Sequence, residues 1–153
     1  MTDSPKKPSF LKRLILVVLG TFAVFVIGIQ FVPVDRSNPP VTQVVDAPQE
    51  VMAIFKRACN DCHSNETVWP WYSKVAPVSW VIAGHVEHGR EHFNFSTWDE
   101  YDGEDRAEII EEIWEEVEEG HMPLPNYVKL HSEAVLSEAD LAVLKAWSQS
   151  EGH

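Results

Sequence analysis

The amino-acid sequence predicts an all-α domain with long loops, preceded by one N-terminal transmembrane helix. Residues 14–32 form a run of 19 without any charge, which is long enough to cross a membrane as a helix. Farther along the chain, apolar residues recur at three- and four-residue steps, which is the period of an amphipathic helix. No alternation of polar and apolar residues is long enough to indicate a pair of strands.

The composition of the chain excludes several classes of protein. Its 153 residues include 12 Lys and Arg against 24 Asp and Glu, a net charge of −12, whereas nucleic-acid binding needs a basic surface. We therefore expect no nucleic-acid partner. A hydrophobic share of 44% with six Trp excludes a disordered acidic tail. Two cysteines are too few for a framework of several disulfides.

The apolar run has the flanks of an uncleaved membrane anchor. As a helix, residues 14–32 would span roughly 29 Å, close to the thickness of the hydrocarbon core of a bilayer. Four basic residues precede the run in residues 1–13, and such residues stay in the cytoplasm. A cleaved secretory signal is the alternative, but no small-x-small cleavage site follows the run. We expect a cytoplasmic basic tail over residues 1–13 and a single-pass anchor over residues 14–32.

The segment after the anchor differs in composition from the predicted domain. In residues 33–48, Pro39, Pro40 and Pro48 stand among polar residues, so we expect an extended linker that lifts the domain off the membrane. The domain itself is predicted over residues 49–150. From residue 33 onward, 8 basic residues stand against 23 acidic ones, a net charge of −15. The exported part of the chain is therefore more acidic than the whole.

Four helices are predicted after the linker from apolar periodicity and capping residues. They cover residues 49–59, 79 to about 92, 104–119, and a last segment from residue 137 onward. Gly120 suits the C-terminal end of the third helix. Ser137 and Asp140 have the spacing of a capping box at the start of the fourth.

The two cysteines belong to the pattern C-x-x-C-H, which is the attachment signature of c-type haem. Near the end of a helix, Cys59 and Cys62 lie on one side, where both thiols can add to the vinyl groups of one porphyrin. The adjacent His63 would then bind the iron as the proximal ligand. The anchor agrees with this interpretation, because it puts the motif outside the cytoplasm. The sequence therefore predicts one covalently attached haem c.

Three other interpretations of the motif compete with haem. A zinc site needs four ligands, and the chain has no second pair of cysteines. A thioredoxin-like dithiol sits at the start of a helix after a strand, whereas Cys59 and Cys62 close a helix. A structural disulfide would leave His63 without a role. Covalent haem accounts for all three side chains.

Further motifs accompany C-x-x-C-H in a joint pattern. They are residues 59–67 (CNDCHSNET), 69–72 (WPWY), 76–80 (APVSW), 120–125 (GHMPLP) and the Leu136-Ser137 start of the closing helix. Together they resemble the bacterial haem-binding domain family, over about residues 44–148. The resemblance implies a cytochrome-c-like helical module with one covalent haem, often tethered to a membrane. Together with the basic residues before the anchor, which keep the N-terminus in the cytoplasm, it predicts the bacterial inner membrane as the location and a periplasmic haem domain.

The sixth position of the iron decides what such a module does. The chain has three Met residues: Met1 is on the cytoplasmic side, and Met52 lies on the helix that leads to the cysteines. Met122 follows a helix end in a proline-rich loop, so we predict it as the distal metal ligand, with core packing as the alternative. His121 is the rival ligand. An open position, suited to peroxide chemistry, is the third hypothesis.

Two other groups of side chains accompany the motif. The aromatic residues Trp69, Trp71, Tyr72 and Trp80 follow it closely and are expected to shield the haem edge from water. His85, His88 and His92 share one face of the predicted second helix. That face is either a solvated polar surface or a second metal site.

The expected function is electron transfer rather than catalysis. No set of residues indicates acid–base or nucleophilic chemistry. Six glutamates in residues 111–119 crowd the outer face of the third helix, where they are a solvated surface or a docking site for a basic redox partner. A haem peroxidase and a haem-based sensor with an open distal site are the alternative functions.

Overall fold

The chain folds as helices joined by long loops, as expected. The computed structural model describes residues 9–152, and over these residues no strands pair beyond one parallel bridge between Gln43 and Thr97. Its α-helices are α1 (Phe10–Ile29), α2 (Gln49–Ala58), α3 (Asn60–His63), α4 (Val78–His92), α5 (Gly103–Glu118), α6 (Pro125–Val128) and α7 (Glu138–Glu151). Short 3₁₀ turns lie at Trp71–Lys74, Trp98–Glu100 and Ser132–Ala134. The predicted all-α class is confirmed.

Helix α1 is long and apolar enough to cross a membrane, and none of its residues is buried against the rest of the chain. It begins four residues before the predicted run and ends three residues earlier, at Ile29. The charged Lys12 and Arg13 therefore belong to its first turns. Of the predicted basic tail, residues 1–8 lie outside the residues that the structure describes.

The hydrophobic core lies between α2, α5, α7 and the loop that follows α4. In its centre, Phe55 stacks on Phe95 with ring centroids 4.4 Å apart and meets Trp147 edge-on at 5.3 Å. The predicted buried face of α2 is confirmed, since Val51, Ile54, Phe55 and Ala58 are all buried. On α5 the buried stripe includes Ile109, while Trp114 is half-buried. Such aromatic packing supplies much of the core's apolar contact.

The helix ends follow the capping chemistry of the sequence. The Asp102 carboxylate accepts hydrogen bonds from the backbone N–H groups of Glu104 and Asp105 at the start of α5. Beyond its end, Gly120 adopts a left-handed conformation with φ of 75°. Ser137 and Asp140 form the predicted capping box at the start of α7.

The segment 33–48 is extended and is fastened along the domain instead of standing clear of it. The guanidinium of Arg90 on α4 donates to the carbonyl of Ser37 (3.0 Å) and to the carbonyl of Ser64 (2.8 Å). Val45 is buried in the core. Because one arginine joins the segment to the loop after α3, the expected spacer is part of the folded unit.

The start of α7 generates a prediction about acid stability. Hydrogen bonds from Ser137, together with the Arg57 guanidinium at 2.6 Å, lower the pKa of the Asp140 carboxyl to about 2. A depressed pKa contributes stability above the ordinary value near 4, and that contribution is lost as the pH falls towards 2. We expect Asp140→Asn to unfold more easily at pH 7, by about 1–2 kcal/mol.

Thermal unfolding of the detergent-solubilised chain, followed by circular dichroism across pH 2–7, measures this effect. The difference between variant and parent should shrink below about pH 4. Glu138→Gln, in the same first turn, is the matched control and should change little. A difference that stays constant over the whole pH range would contradict the assignment.

Candidate functional site

The C-x-x-C-H motif occupies a break between two helices. Helix α2 ends at Ala58, and Cys59 leaves the helical conformation with φ of −122°. Its carbonyl then accepts from the backbone N–H groups of Cys62 (3.1 Å) and His63 (2.9 Å), which closes the single turn of α3. The predicted helix end is therefore correct to within one residue. The turn brings both thiols and the imidazole to the same end of α2.

The His63 side chain is fixed by the segment that follows α4. Its ring stacks on Phe93, with centroids 4.1 Å apart, and Nδ1 lies 3.4 Å from the Phe93 carbonyl oxygen. Burial lowers the pKa of His63 to about 4, so the imidazole is neutral at neutral pH. With the proton on Nδ1, which donates to that carbonyl, Nε2 carries the free lone pair. A neutral imidazole oriented by a backbone carbonyl is the usual form of a metal ligand.

Both cysteines are free and half-buried. Burial raises the pKa of Cys59 to about 12 and that of Cys62 to about 11. A reactive dithiol has a lowered pKa, which is the opposite shift. Within residues 9–152, no group of three or more His, Cys, Asp and Glu residues is arranged to hold a metal ion. These observations disfavour the redox-dithiol and zinc interpretations.

Two adjoining cavities of about 270 and 320 Å³ open beside the motif. Both are lined mainly by apolar atoms, and they share Ala58, Cys59, His63, His92, Met122 and Pro123. The first extends to Phe93, Phe95, Ile113, Val117 and Leu136. The second extends to Cys62, His85, Gly89 and Tyr127. Their combined size falls in the range of cofactor sites.

Met122 lines both cavities together with His63. After α5, the Glu116 carbonyl accepts from the backbone N–H groups of His121 (2.9 Å) and Met122 (3.0 Å), so the loop folds back over the helix end. Gly120 permits this reversal through its left-handed backbone. Met52 lines neither cavity and packs against the core. Of the two methionines on this side of α1, the sequence prediction selected the one that the fold brings to the site.

The rival ligand His121 faces away from these cavities. Its side chain is 62% exposed and its Nδ1 lies 3.3 Å from a Glu119 carboxylate oxygen and 3.5 Å from one of Glu116. It lines neither cavity. The geometry therefore favours Met122 over His121 as the side chain that reaches the site.

The histidines of α4 do lie on one face, as the spacing predicts. His85, His88 and His92 all line the second cavity and are exposed. His92 is held by Glu112, whose carboxylate oxygen lies 2.9 Å from Nε2. Over the residues described, the three rings do not form a metal-binding group. They border the site as a polar rim.

The glutamates of α5 divide between two environments. Glu112 and Glu116 are half-buried and line the first cavity, which the prediction of a uniform outer face did not anticipate. Glu111, Glu115, Glu118 and Glu119 are exposed. The acidic outer surface is thus smaller than the sequence indicates, and two carboxylates belong to the site.

Most of the predicted aromatic wall lies elsewhere. Trp69 and Trp80 line a separate surface depression together with Pro33 and Val34, and Trp71 is 77% exposed. Tyr72 borders a third cavity of about 210 Å³, which Cys62 also lines. We therefore correct the predicted wall: the rings beside His63 are those of Phe93 and Phe95, from the loop after α4.

Three functional residues escaped the sequence analysis. Phe93 and Phe95 belong to a dense aromatic stretch over residues 93–101, and this density was the available signal. Asp61, between the cysteines, accepts from the Tyr127 hydroxyl (2.7 Å) and from the Val68 backbone N–H (3.0 Å). Burial, followed by this contact, raises the pKa of Tyr127. Asp61 thereby ties the motif to α6 and to the following loop.

The residues present fit a haem. Two free thiols, a buried neutral imidazole and a thioether border one largely apolar space. Histidine, cysteine and methionine side chains are among the groups that hold haem iron in proteins. The family described as "Haem-binding domain" matches residues 24–150 of the chain. The chain belongs to this haem-binding domain family. No curated protein and no solved structure matches it significantly.

The packing of α4 against the motif generates a second prediction. A Cβ added at Gly89 would stand 2.7 Å from the Cys62 carbonyl oxygen, a backbone atom that cannot move without shifting the motif. We expect Gly89→Ala to destabilise the chain by about 1–3 kcal/mol through overpacking and to lower its haem content. Thermal unfolding and the haem-to-protein ratio measure the two effects.

Gly84→Ala is the matched control on the same helix, since nothing lies within 4 Å of its added Cβ. It should be neutral or stabilising by up to about 1 kcal/mol, because alanine favours the helix. Equal behaviour of the two variants would show that the close approach at Gly89 does not constrain the site.

Proposed function

We propose that the chain is a membrane-anchored monohaem c-type cytochrome that carries single electrons and is not an enzyme. The observation that carries this proposal is the shared lining of the two cavities, in which Cys59, His63 and Met122 border the same space. A His/Met pair leaves no open position for substrate and favours electron transfer.

Each residue has a defined task in this proposal. Cys59 and Cys62 hold the porphyrin through thioether bonds, His63 is the proximal ligand, and Met122 is the distal one. The haem supplies a reversible one-electron couple when it is bound. The Phe93 carbonyl keeps the proton of His63 on Nδ1, so that Nε2 remains available to the iron. Phe95 excludes water from one wall, and this burial tunes the potential.

The proposed location is the inner membrane of a bacterium, with α1 as the single span. Its length and apolar composition support a span. Lys12 and Arg13 at its beginning favour a cytoplasmic N-terminus. The haem domain then lies in the periplasm, where c-type haem is attached. From residue 33 onward the chain has a net charge of −15, which does not suit a nucleic-acid partner.

The proposed partner is a redox protein with a basic docking face. The exposed glutamates of α5 (Glu111, Glu115, Glu118 and Glu119) give the domain a concentrated negative surface. Among the residues described, Lys145 (3.6 Å from Glu118) and His121 (3.3 Å from Glu119) are the basic side chains paired with this set. Complementary charge steers such partners together and acts mainly on the association rate.

Replacing Met122 tests the distal ligand. We expect Met122→Ala to lower the midpoint potential by about 0.1 V or more, within the roughly 0.8 V range that axial ligands control. The ferrous variant should also bind carbon monoxide at neutral pH, because a position on the iron becomes open. A redox titration with optical spectra measures both effects in the purified chain.

Met52→Ala is the matched control, since Met52 packs against the core and lines neither cavity. It should keep the parent's spectrum and potential. An unchanged potential in Met122→Ala would remove Met122 from the iron. Carbon monoxide binding by the parent itself would favour the peroxidase or sensor alternative.

Covalent attachment has its own test. The peptide that contains Cys59 and Cys62 should carry the mass of one haem after unfolding and acid extraction, and the chain should stain for haem on a denaturing gel. The double variant Cys59→Ser/Cys62→Ser should lose this mass, because its hydroxyls do not form thioethers. Haem that is extracted completely from the parent would contradict the c-type assignment, while a site for non-covalent haem would remain.

A further inference from the structure

One stretch of the domain departs sharply from its acidic composition. Residues 67–86 contain no Asp or Glu, a single Lys at position 74, and three of the six Trp residues. The chain from residue 33 onward has a net charge of −15. An aromatic stretch without acidic residues in such a domain indicates a surface whose partner differs from that of the remainder.

This stretch presents apolar side chains to the outside. Trp71 is 77% exposed, Val75 44%, Val78 45% and Val81 57%. Val78 and Val81 line the third cavity together with Val68 and Leu130, which are also exposed, and Trp71 and Val75 lie in the turn that directly precedes α4. We call this surface, residues 68, 71, 75, 78, 81 and 130, the apolar face. Contiguous exposed apolar surfaces mark interaction sites.

The backbone of Ala76, next to the apolar face, is hydrogen-bonded to the residue that ends the membrane helix. Gln30 is the first residue after α1, and its side-chain amide makes two hydrogen bonds to the backbone of Ala76: Nε2 donates to the carbonyl (3.1 Å) and Oε1 accepts from the N–H (3.0 Å). Ala76 lies between Val75 and Val78 of the face. Phe31, next along the chain, is 81% exposed. The face therefore begins where the span ends.

Another part of the same stretch meets the chain just beyond the span. Trp69 and Trp80 line one depression with Pro33 and Val34, and Arg36 donates to the Ser73 carbonyl at 3.4 Å. Trp and Tyr concentrate at the headgroup level of membranes, where their rings are amphipathic enough to be stable. Trp69 and Trp80, which are absent from the cavities beside His63, thus lie beside the chain that leaves α1.

We propose that the apolar face lies in the headgroup region of the bilayer that α1 crosses, so that the domain rests on the membrane through the 67–86 stretch. This inference rests on the proposed anchoring by α1. A bilayer is the occupant favoured by the bonds of Gln30 to Ala76 and by the lack of acidic residues, which anionic lipids would repel. Insertion of Trp71 and the valines supplies the attraction, and it is insensitive to salt.

Nitroxide labels on the full chain test this placement. Val75→Cys and Val78→Cys report on the face, and Gln149→Cys on α7 is the matched control on an exposed polar residue. The chains are reconstituted in vesicles of phosphatidylcholine and phosphatidylglycerol. The collision rate with a water-soluble nickel chelate should be lower at residues 75 and 78 than at residue 149, by about threefold or more. The collision rate with oxygen should be higher at residues 75 and 78, as expected for residues at the acyl boundary. The parent chain, treated with the same label, gives the background from Cys59 and Cys62.

Two other results would overturn the proposal. Nickel collisions at 75 and 78 that equal those at 149 would put the face in water. Low collision rates with both nickel and oxygen would show that a protein, such as a second copy of the chain, covers the face instead. Flotation of the vesicles after a carbonate wash tests the anchoring by α1 separately. A chain that does not float with the vesicles would contradict both the anchoring and this inference, whereas the haem assignment would be unaffected.

A charged substitution at Trp71 tests the same placement through its effect on the label at residue 75. Trp71→Glu should move the label at residue 75 towards water, with nickel collisions rising about threefold, since a charge resists the interface. Val135→Glu is the matched control, because Val135 is comparably exposed at 56% but lies outside the face. Equal effects of the two substitutions would overturn the proposal.

Discussion

The close approach of α4 to the C-x-x-C-H turn is the constraint on which the site depends. Gly89 has no side chain, and this lets the helix rest on the backbone of Cys62. The same helix then leads into Phe93, whose ring and carbonyl fix His63. A larger residue would separate α4 from the motif and loosen the imidazole. The absence of one side chain at residue 89 therefore controls the position of the His63 imidazole.

Hydrogen bonds fix the other side of the motif. The Phe95 backbone N–H donates to the His63 carbonyl at 2.8 Å, and Ser96 Oγ accepts from the Asn65 backbone N–H. The Asn94 side chain donates to that of Asn65 at 2.8 Å. Because these groups are buried, the loss of any one of them would leave its partner without a hydrogen bond, which would destabilise the fold. The strand-like loop after α4 acts as a rigid support for His63.

Local signals in the sequence predicted the longer helices and several of the side chains that line the candidate site, and long-range packing decided what they missed. Periodicity and the Ser137 cap define α7, and the C-x-x-C-H spacing selects the cysteines and His63 without knowledge of the fold. The environment of Trp71 could not be predicted in this way. Its exposure depends on how its turn packs against α4 and against the segment after α1, and that segment lies far from Trp71 in the sequence. For the same reason, closeness in sequence to Cys62 did not bring Trp69 to the cavities beside His63.

The burial of the two thiols bears on how the protein matures. Cys59 and Cys62 are half-buried with raised pKa values, so in the folded chain they are poor nucleophiles. Under the proposed covalent attachment, thioether bonds would form more readily before Tyr127 bonds to Asp61 and the motif is buried. On that proposal, the cofactor would be attached before the motif closes, and the closed motif would then shield the linkage from solvent.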